Sequence, residues 1–96
     1  MKQTALIGAA LLAASLTAPA AAADCFADYK AKQDNPLRLH YGVLQIAGPC
    51  KKGAAKKEAA ARLGQNGWTL LNILSVFGAD GLEKRRANAG SYYLRF

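Results

Sequence analysis

The N-terminal quarter of the chain is almost continuously apolar. Residues 5–16 form a nearly unbroken apolar run behind an early lysine, and residues 21–23 are alanines that precede Asp24. A basic start, a short apolar core and small residues at its end are the three parts of a secretory signal peptide. The run is too short to span about 30 Å of hydrocarbon. We therefore predict a leader, residues 1–23, that is cleaved before Asp24, with Ala20–Ala21 as the alternative site.

The next apolar positions, in residues 24–33, have helical spacing. Phe26 and Tyr29 are three residues apart, and Asp24 is placed to cap the start of a helix. Pro36 ends the segment, because proline lacks a backbone N–H and restricts the residue before it. We predict a short N-terminal helical segment.

Residues 37–47 alternate as a strand does. The apolar residues of the first half, Leu37, Leu39, Tyr41 and Val43, alternate with Arg38, His40 and Gly42. Leu44 and Ile46 then fall on the opposite face, so Gly42 is predicted to mark a bulge or a twist. Gly48 and Pro49 end the strand.

The main helix is predicted from about residue 53 to residue 65. This stretch is rich in alanine and stops at Asn66–Gly67. Its N-terminal half is crowded by basic side chains that oppose the helix dipole, namely Lys51, Lys52, Lys56 and Lys57. Such a run is usually a solvated face. The unfavourable interaction of these lysines with the helix dipole is nevertheless an indication that their charge has a role.

A second strand, residues 68–77, is apolar on both faces. One face carries Trp68, Leu70, Leu74 and Val76, and the other carries Leu71, Ile73 and Phe77. A strand of this kind is expected to be covered on both faces. The helix covers one face, and the N-terminal segment or a second subunit is expected to cover the other.

A long connection, residues 78–90, precedes the last predicted strand. Asp80 and Glu83 have the spacing of a capping box, and Leu82 is placed to anchor a short helical turn. Residues 91–96 then alternate, with Tyr92, Leu94 and Phe96 on one face and Tyr93 and Arg95 on the other.

The order strand, helix, strand, strand predicts an α+β domain with one main helix packed on a three-stranded sheet. Two topologies fit. Either the first two strands are parallel neighbours joined by a right-handed crossover, or the terminal strand lies between them and every pair is antiparallel.

The only two cysteines, Cys25 and Cys50, are predicted to form a disulfide. Removal of residues 1–23 leaves 73 residues (96 minus 23), a length at which a single domain usually needs a staple besides apolar burial. Export places the thiols where disulfides persist. The wide spacing, without a nearby histidine, does not suit a redox or metal pair, so we expect a structural bridge in a periplasmic or secreted protein.

Around Gly67–Trp68–Thr69–Leu70 the chain resembles a family of small bacterial domains of unknown function. In that family a helix ends in Gly-Trp, a strand follows, and a terminal aromatic and basic strand finishes the domain. The matching parts here are residues 59–71 and residues 92–96 within a resemblance from about Leu39 onward. The cysteine pair, the leader and the long connection depart from the family. The resemblance implies a helix packed on a small sheet and implies no activity.

The chain is strongly basic. It has 13 Lys and Arg against 6 Asp and Glu, and loss of Lys2 with the leader leaves 12 against 6, a net charge of +6. Such a field favours anionic partners, namely an acidic protein or an anionic envelope polymer. Export argues against nucleic acid. Solubility is an equally good explanation of the charge.

Catalytic and metal-binding patterns are weak. His40 is the only histidine, and no carboxylate stands at a suggestive spacing from it, so we expect a solvent-facing strand histidine. One histidine and two oxidised cysteines do not make a zinc site, and no cofactor is predicted. Trp68, just past a helix-stopping glycine, is expected to be a core anchor.

Basic and aromatic side chains form the candidate binding surface. If the first and last strands are neighbours, Arg38, His40, Tyr93 and Arg95 share one face beside the basic loop residues Lys84, Arg85 and Arg86. The alternative is an ordinary solvated sheet face.

We therefore expect a non-enzymatic periplasmic interaction module that binds an acidic protein or an anionic envelope component. A homo-oligomer that buries the face of Leu71, Ile73 and Phe77 is the alternative. A small hydrolase that uses His40 is the third and weakest hypothesis.

Overall fold

The computed structural model describes residues 24–96, and the predicted leader, residues 1–23, lies outside the described residues. The elements in chain order are β1 (Cys25–Gln33), β2 (Arg38–Ile46), α1 (Lys52–Gln65), β3 (Thr69–Phe77), a 3-10 turn (Ala79–Gly81), α2 (Glu83–Ala89) and a second 3-10 turn (Gly90–Tyr92). The predicted class is confirmed, since the fold is α+β with one main helix and a three-stranded sheet.

The sheet has the order β2-β1-β3, with both pairs antiparallel. The segment predicted to be a short helix is therefore the central strand, and that prediction is wrong. Ala27, Tyr29 and Ala31 pack in the core on the α1 side, whereas Phe26 belongs to a second core on the opposite side. The segment has helical spacing, but a helix of about ten residues is only marginally stable by itself. Hydrogen bonding to a strand along each edge therefore decides its structure.

The last predicted strand is also absent from the sheet. Residues 90–92 form a 3-10 turn, and the following residues meet β2 through one isolated parallel bridge between Val43 and Tyr93. Leu94 has a φ of 54°, which interrupts the extended conformation that a strand requires. The sheet obtains its third strand from β1 instead, so neither predicted topology is observed.

Gly42 marks a close approach rather than a bulge, because the β1–β2 register is continuous. A Cβ at Gly42 would lie 2.3 Å from the Tyr29 hydroxyl oxygen and 2.5 Å from Cζ. The irregularities lie between β1 and β3, where the register skips Leu71 and Leu74. These two bulges explain why β3 appears apolar on both faces in sequence.

Two hydrophobic cores lie on opposite faces of the sheet. On the first face Ala55, Ala59 and Leu63 of α1 are fully buried against the strands. On the second face α2 and the residues after it cover one end of the sheet, with Phe26, Val43 and Ala89 at the centre. The second face is therefore covered by C-terminal residues of the same chain, and not by the N-terminal segment.

The face proposed for an oligomer contact is not available. Ile73 is buried in the α1-side core, and Phe77 packs in the α2-side core. Leu71 alone of the three is exposed. The short helical turn predicted at Leu82 is confirmed, because α2 begins at the next residue. The predicted capping box is not formed, since neither α2 nor the preceding 3-10 turn has a side-chain cap.

The predicted disulfide is confirmed. Cys25 at the start of β1 is bonded to Cys50 in the loop between β2 and α1, with the two Cα atoms 5.7 Å apart. It ties the central strand to the approach to the main helix. Among residues 24–96, no helix is long and apolar enough to cross a membrane.

Candidate functional site

The residues of the predicted strand-face patch do not all share a face. His40 is only 9% exposed and packs on the α1 side, so its predicted solvent-facing position is wrong. The reason is that His40 lies on the same face of β2 as Leu44 and Ile46, which pack in the α1-side core. Tyr93 packs in the opposite core. Arg38 is exposed at the start of β2.

Arg95 lies on the same side as His40. Its guanidinium carbon is 5.5 Å from the ring centroid of Tyr92 and 5.6 Å from that of Phe96. The structure thus brings Arg95 and His40 together through the aromatic rings of residues 90–96 and separates both from Tyr93.

The basic triplet of residues 84–86 lies on α2 and is divided between two roles. Arg85 points inward, where its Nε donates to Asp28 Oδ2 at 3.0 Å and its Nη1 donates to the Gly81 carbonyl at 2.7 Å. Its guanidinium also lies 3.8 Å from the centroid of the Phe77 ring. Lys84 and Arg86 are exposed. Arg85 therefore holds α2 on the sheet, which its sequence neighbourhood did not indicate.

Asp28 is the buried anion that receives Arg85. Its carboxylate also accepts hydrogen bonds from Ser75 Oγ at 2.7 Å and from the Tyr41 hydroxyl at 2.9 Å. Burial alone would raise the pKa of Asp28, but the bonds from Ser75, Tyr41 and Arg85 outweigh it and lower the pKa. Burial and the bond to Asp28 raise the pKa of Tyr41 to about 12. Both oxygens of the Asp28 carboxylate therefore have partners within the protein.

His40 lies in an aromatic enclosure. Its Nε2 is 2.8 Å from the Tyr29 hydroxyl, its ring stacks on Tyr92 at a centroid distance of 3.7 Å, and Trp68 contacts it edge to face at 4.3 Å. Trp68 is 8% exposed, which confirms it as a core residue. Burial, with a smaller effect of Arg95, lowers the pKa of His40 to about 4.

This geometry gives the hydrolase hypothesis no support. The polar contact of His40 is the Tyr29 hydroxyl, whereas a general base needs an orienting group and an adjacent nucleophile. Within residues 24–96, no group of three metal-ligating side chains comes together.

An exposed surface that the sequence reasoning missed lies on the second sheet face, beyond the part that α2 covers. We name it the open sheet face and define it by Lys30, Leu39, Tyr41 and Leu71. Together with Ala31 and His40, these residues line a cavity of about 270 Å³. Leu39 is 65% exposed and Leu71 47% exposed. The alternation of Leu37 and Leu39 with Arg38 was the available sequence signal, but the position of Leu71 depends on a bulge.

The positive charge is poorly compensated across the part of the chain that the structure describes. Ion pairs join Lys32 to Asp34, Arg62 to Glu58, Arg85 to Asp28, and Arg86 to Glu83. The remaining basic residues form no ion pair there: Lys30, Arg38, Lys51, Lys52, Lys56, Lys57, Lys84 and Arg95. Lys30 is the member of this group that lies in the cavity of the open sheet face.

No protein-family model, curated protein or solved structure matches this chain. The resemblance to small bacterial domains around Trp68 therefore stays a prediction.

Proposed function

We propose that this protein is a non-enzymatic interaction module of the periplasm that binds an acidic protein segment on the open sheet face. The observation that carries the proposal is the position of Lys30 in one cavity with Leu39 and Leu71. A cation among exposed apolar side chains complements a segment that presents a carboxylate beside an apolar residue.

The apolar component favours a protein over an anionic envelope polymer. Leu39 and Leu71 expose about half or more of their surface, and burying a leucine side chain contributes about 2 kcal/mol. A sulfated or phosphorylated polymer would satisfy Lys30 but would leave the two leucines in water. A protein segment can satisfy all three.

The net positive charge supports the same partner. Eight basic residues without an ion pair surround a small domain, and such a field accelerates encounter with an acidic surface. It also opposes self-association, because two copies would bring like charges together. The periplasmic location rests on the predicted leader and is supported by the Cys25–Cys50 disulfide.

The test is photocrosslinking in intact cells from a photoreactive amino acid placed at position 39. We expect one protein adduct, identified by mass spectrometry, whose yield falls at least about tenfold in Lys30→Glu. Lys84→Glu is the matched control, because it makes the same charge change on the outer side of α2 and should leave the yield unchanged. Loss of the adduct only in Lys84→Glu would move the binding surface to α2.

Two other outcomes would overturn the proposal. An adduct formed only between two copies of this chain would indicate a homo-oligomer. Binding of the purified protein to an anionic polysaccharide, with no protein adduct in cells, would identify a polymer as the partner.

A further inference from the structure

His40 is a buried titratable group whose ring packs on the α1 side of the sheet, although the residue also borders the cavity of the open sheet face. Its Nδ1 atom is buried and has no hydrogen-bond partner among the described residues, whereas Nε2 is bonded to the Tyr29 hydroxyl. Burial raises the pKa of Tyr29 above its ordinary range, so this hydroxyl stays protonated. The enclosure therefore suits a neutral imidazole better than an imidazolium, whose two ring nitrogens would both be donors.

The groups that surround the ring cannot balance a positive charge. Tyr29 comes from β1, Trp68 from the residue before β3, and Tyr92 and Phe96 from residues 90–96. The charged side chain that acts on His40 is Arg95, which is itself positive. Arg62 of α1 acts electrostatically on the neighbouring Tyr29 and is paired with Glu58.

Protonation would make both ring nitrogens donors, and the N–H at Nδ1 would have no acceptor among the described residues. Desolvation of the imidazolium and repulsion by Arg95 both oppose this state. Stacking on Tyr92 gives a cation–π attraction in return, but this attraction is smaller than the cost of burying an unpaired charge. The ring must reach water, so one wall of the enclosure has to move.

Residues 90–96 are the wall with the fewest backbone hydrogen bonds to the sheet, although Tyr92 and Phe96 pack against the α1-side core and Tyr93 against the opposite one. Tyr29 is part of the central strand, and Trp68 follows the main helix, whereas residues 90–96 are tied to β2 by one backbone bond, Leu94 N–H to the Val43 carbonyl at 2.9 Å. A second tie joins Arg62 Nη2 to the Phe96 carbonyl at 2.8 Å. Leu94 adopts a φ of 54°, a left-handed conformation that is unfavourable for leucine.

We propose that protonation of His40 releases residues 90–96 from the outer edge of β2, so that this protein has a closed form near neutral pH and an open form in acid. Release removes the Tyr92 ring from His40 and exposes the Val43 carbonyl at the edge of the sheet. Arg95 leaves the imidazolium at the same time, which links the opening to the charge. The inference does not depend on the partner at the open sheet face.

The test is amide hydrogen exchange of the exported protein, followed by NMR between pH 7 and pH 3.5 and corrected for intrinsic exchange. The reporter is the Leu94 amide, because it bonds Val43 directly. We expect its protection to fall at least about tenfold as His40 titrates, while the amide of Tyr29 in β1 keeps most of its protection. In His40→Phe, which keeps an aromatic ring but cannot titrate, the pH-dependent fall at Leu94 should disappear.

A second variant keeps the test decisive if His40→Phe does not fold. Arg95→Gln keeps the histidine and removes the repulsive charge, so the midpoint of the Leu94 transition should move to higher pH. The inference is overturned if the midpoint is unchanged in Arg95→Gln. It is also overturned if Leu94 loses protection equally in His40→Phe, or if Tyr29 loses protection in parallel with Leu94.

Discussion

The guanidinium of Arg85 and the carboxylate of Asp28 form an ion pair across 57 residues of sequence, with Nε and Oδ2 3.0 Å apart. Both side chains are largely buried, at 19% and 9% exposed. The pair connects α2 to the central strand and thereby closes one end of the second sheet face. What appears in sequence as one residue of a basic cluster is a structural anchor.

Removal of Arg85 should therefore destabilise the domain. In Arg85→Ala the Asp28 carboxylate stays buried without its charged partner, and we expect a loss of about 3 kcal/mol in the free energy of unfolding, measured by urea denaturation. Lys84→Ala, on the exposed side of the same helix, should change it by less than about 0.5 kcal/mol. Equal effects of the two variants would contradict an anchoring role.

Gly42 should not tolerate a methyl group. A Cβ there would lie 2.3 Å from the hydroxyl oxygen of the fully buried Tyr29, and we expect Gly42→Ala to cost about 1–3 kcal/mol. A Cβ added at Gly64 in α1 would meet no atom within 4 Å, so Gly64→Ala should be neutral or stabilise by up to about 1 kcal/mol. Thermal unfolding of the two variants measures the contrast, and an unaffected Gly42→Ala would show that Tyr29 can move aside.

The disulfide should contribute a large part of the stability. The bridge closes a loop with a sequence separation of 25, for which chain entropy predicts about 3.5 kcal/mol. The difference in the free energy of unfolding between the oxidised protein and Cys25→Ala/Cys50→Ala measures this contribution. The reduced wild-type protein is the control and should match the double variant. A loss of less than about 1 kcal/mol would mean that packing of β1 alone fixes the N-terminal strand.

His40 should make stability depend on pH in a defined window. The pKa of His40 is about 4 in the folded protein, against an ordinary value of 6.5, so the unfolded chain binds the extra proton between these values. Stability should consequently fall as pH drops from about 6.5 to about 4, by at most about 3 kcal/mol. Asp28 has a pKa lowered from its ordinary value of 3.8, so the stability that its ionised carboxylate contributes is lost at lower pH, below about 3.8.

Urea denaturation at a series of pH values measures this slope. His40→Phe should show a flat profile between pH 6.5 and about pH 5.5, above the range in which Glu58, whose pKa is lowered from 4.5, affects stability, because phenylalanine binds no proton. A slope of the same size in that variant would assign the effect to other groups.

Local patterns were sufficient for the elements whose signals lie within a few residues. The alanine-rich run and its Asn66–Gly67 stop predict α1, the alternation predicts β2, the apolar run predicts β3, and two cysteines in a short chain predict the bridge. Trp68 as a core anchor follows from its position after the helix stop. In these cases helix propensity, the period of two and the redox chemistry of thiols act without reference to distant residues.

Pairing across the fold decided the rest. Residues 25–33 become the central strand because β2 and β3 bond to both of its edges, and no local pattern encodes two partners. His40 is buried because Tyr29, Trp68 and Tyr92, from three separate segments, converge on its ring. Arg85 becomes an anchor and Lys30 part of an open cavity for the same reason: burial and charge pairing depend on contacts between residues far apart in sequence, which only the assembled sheet brings together.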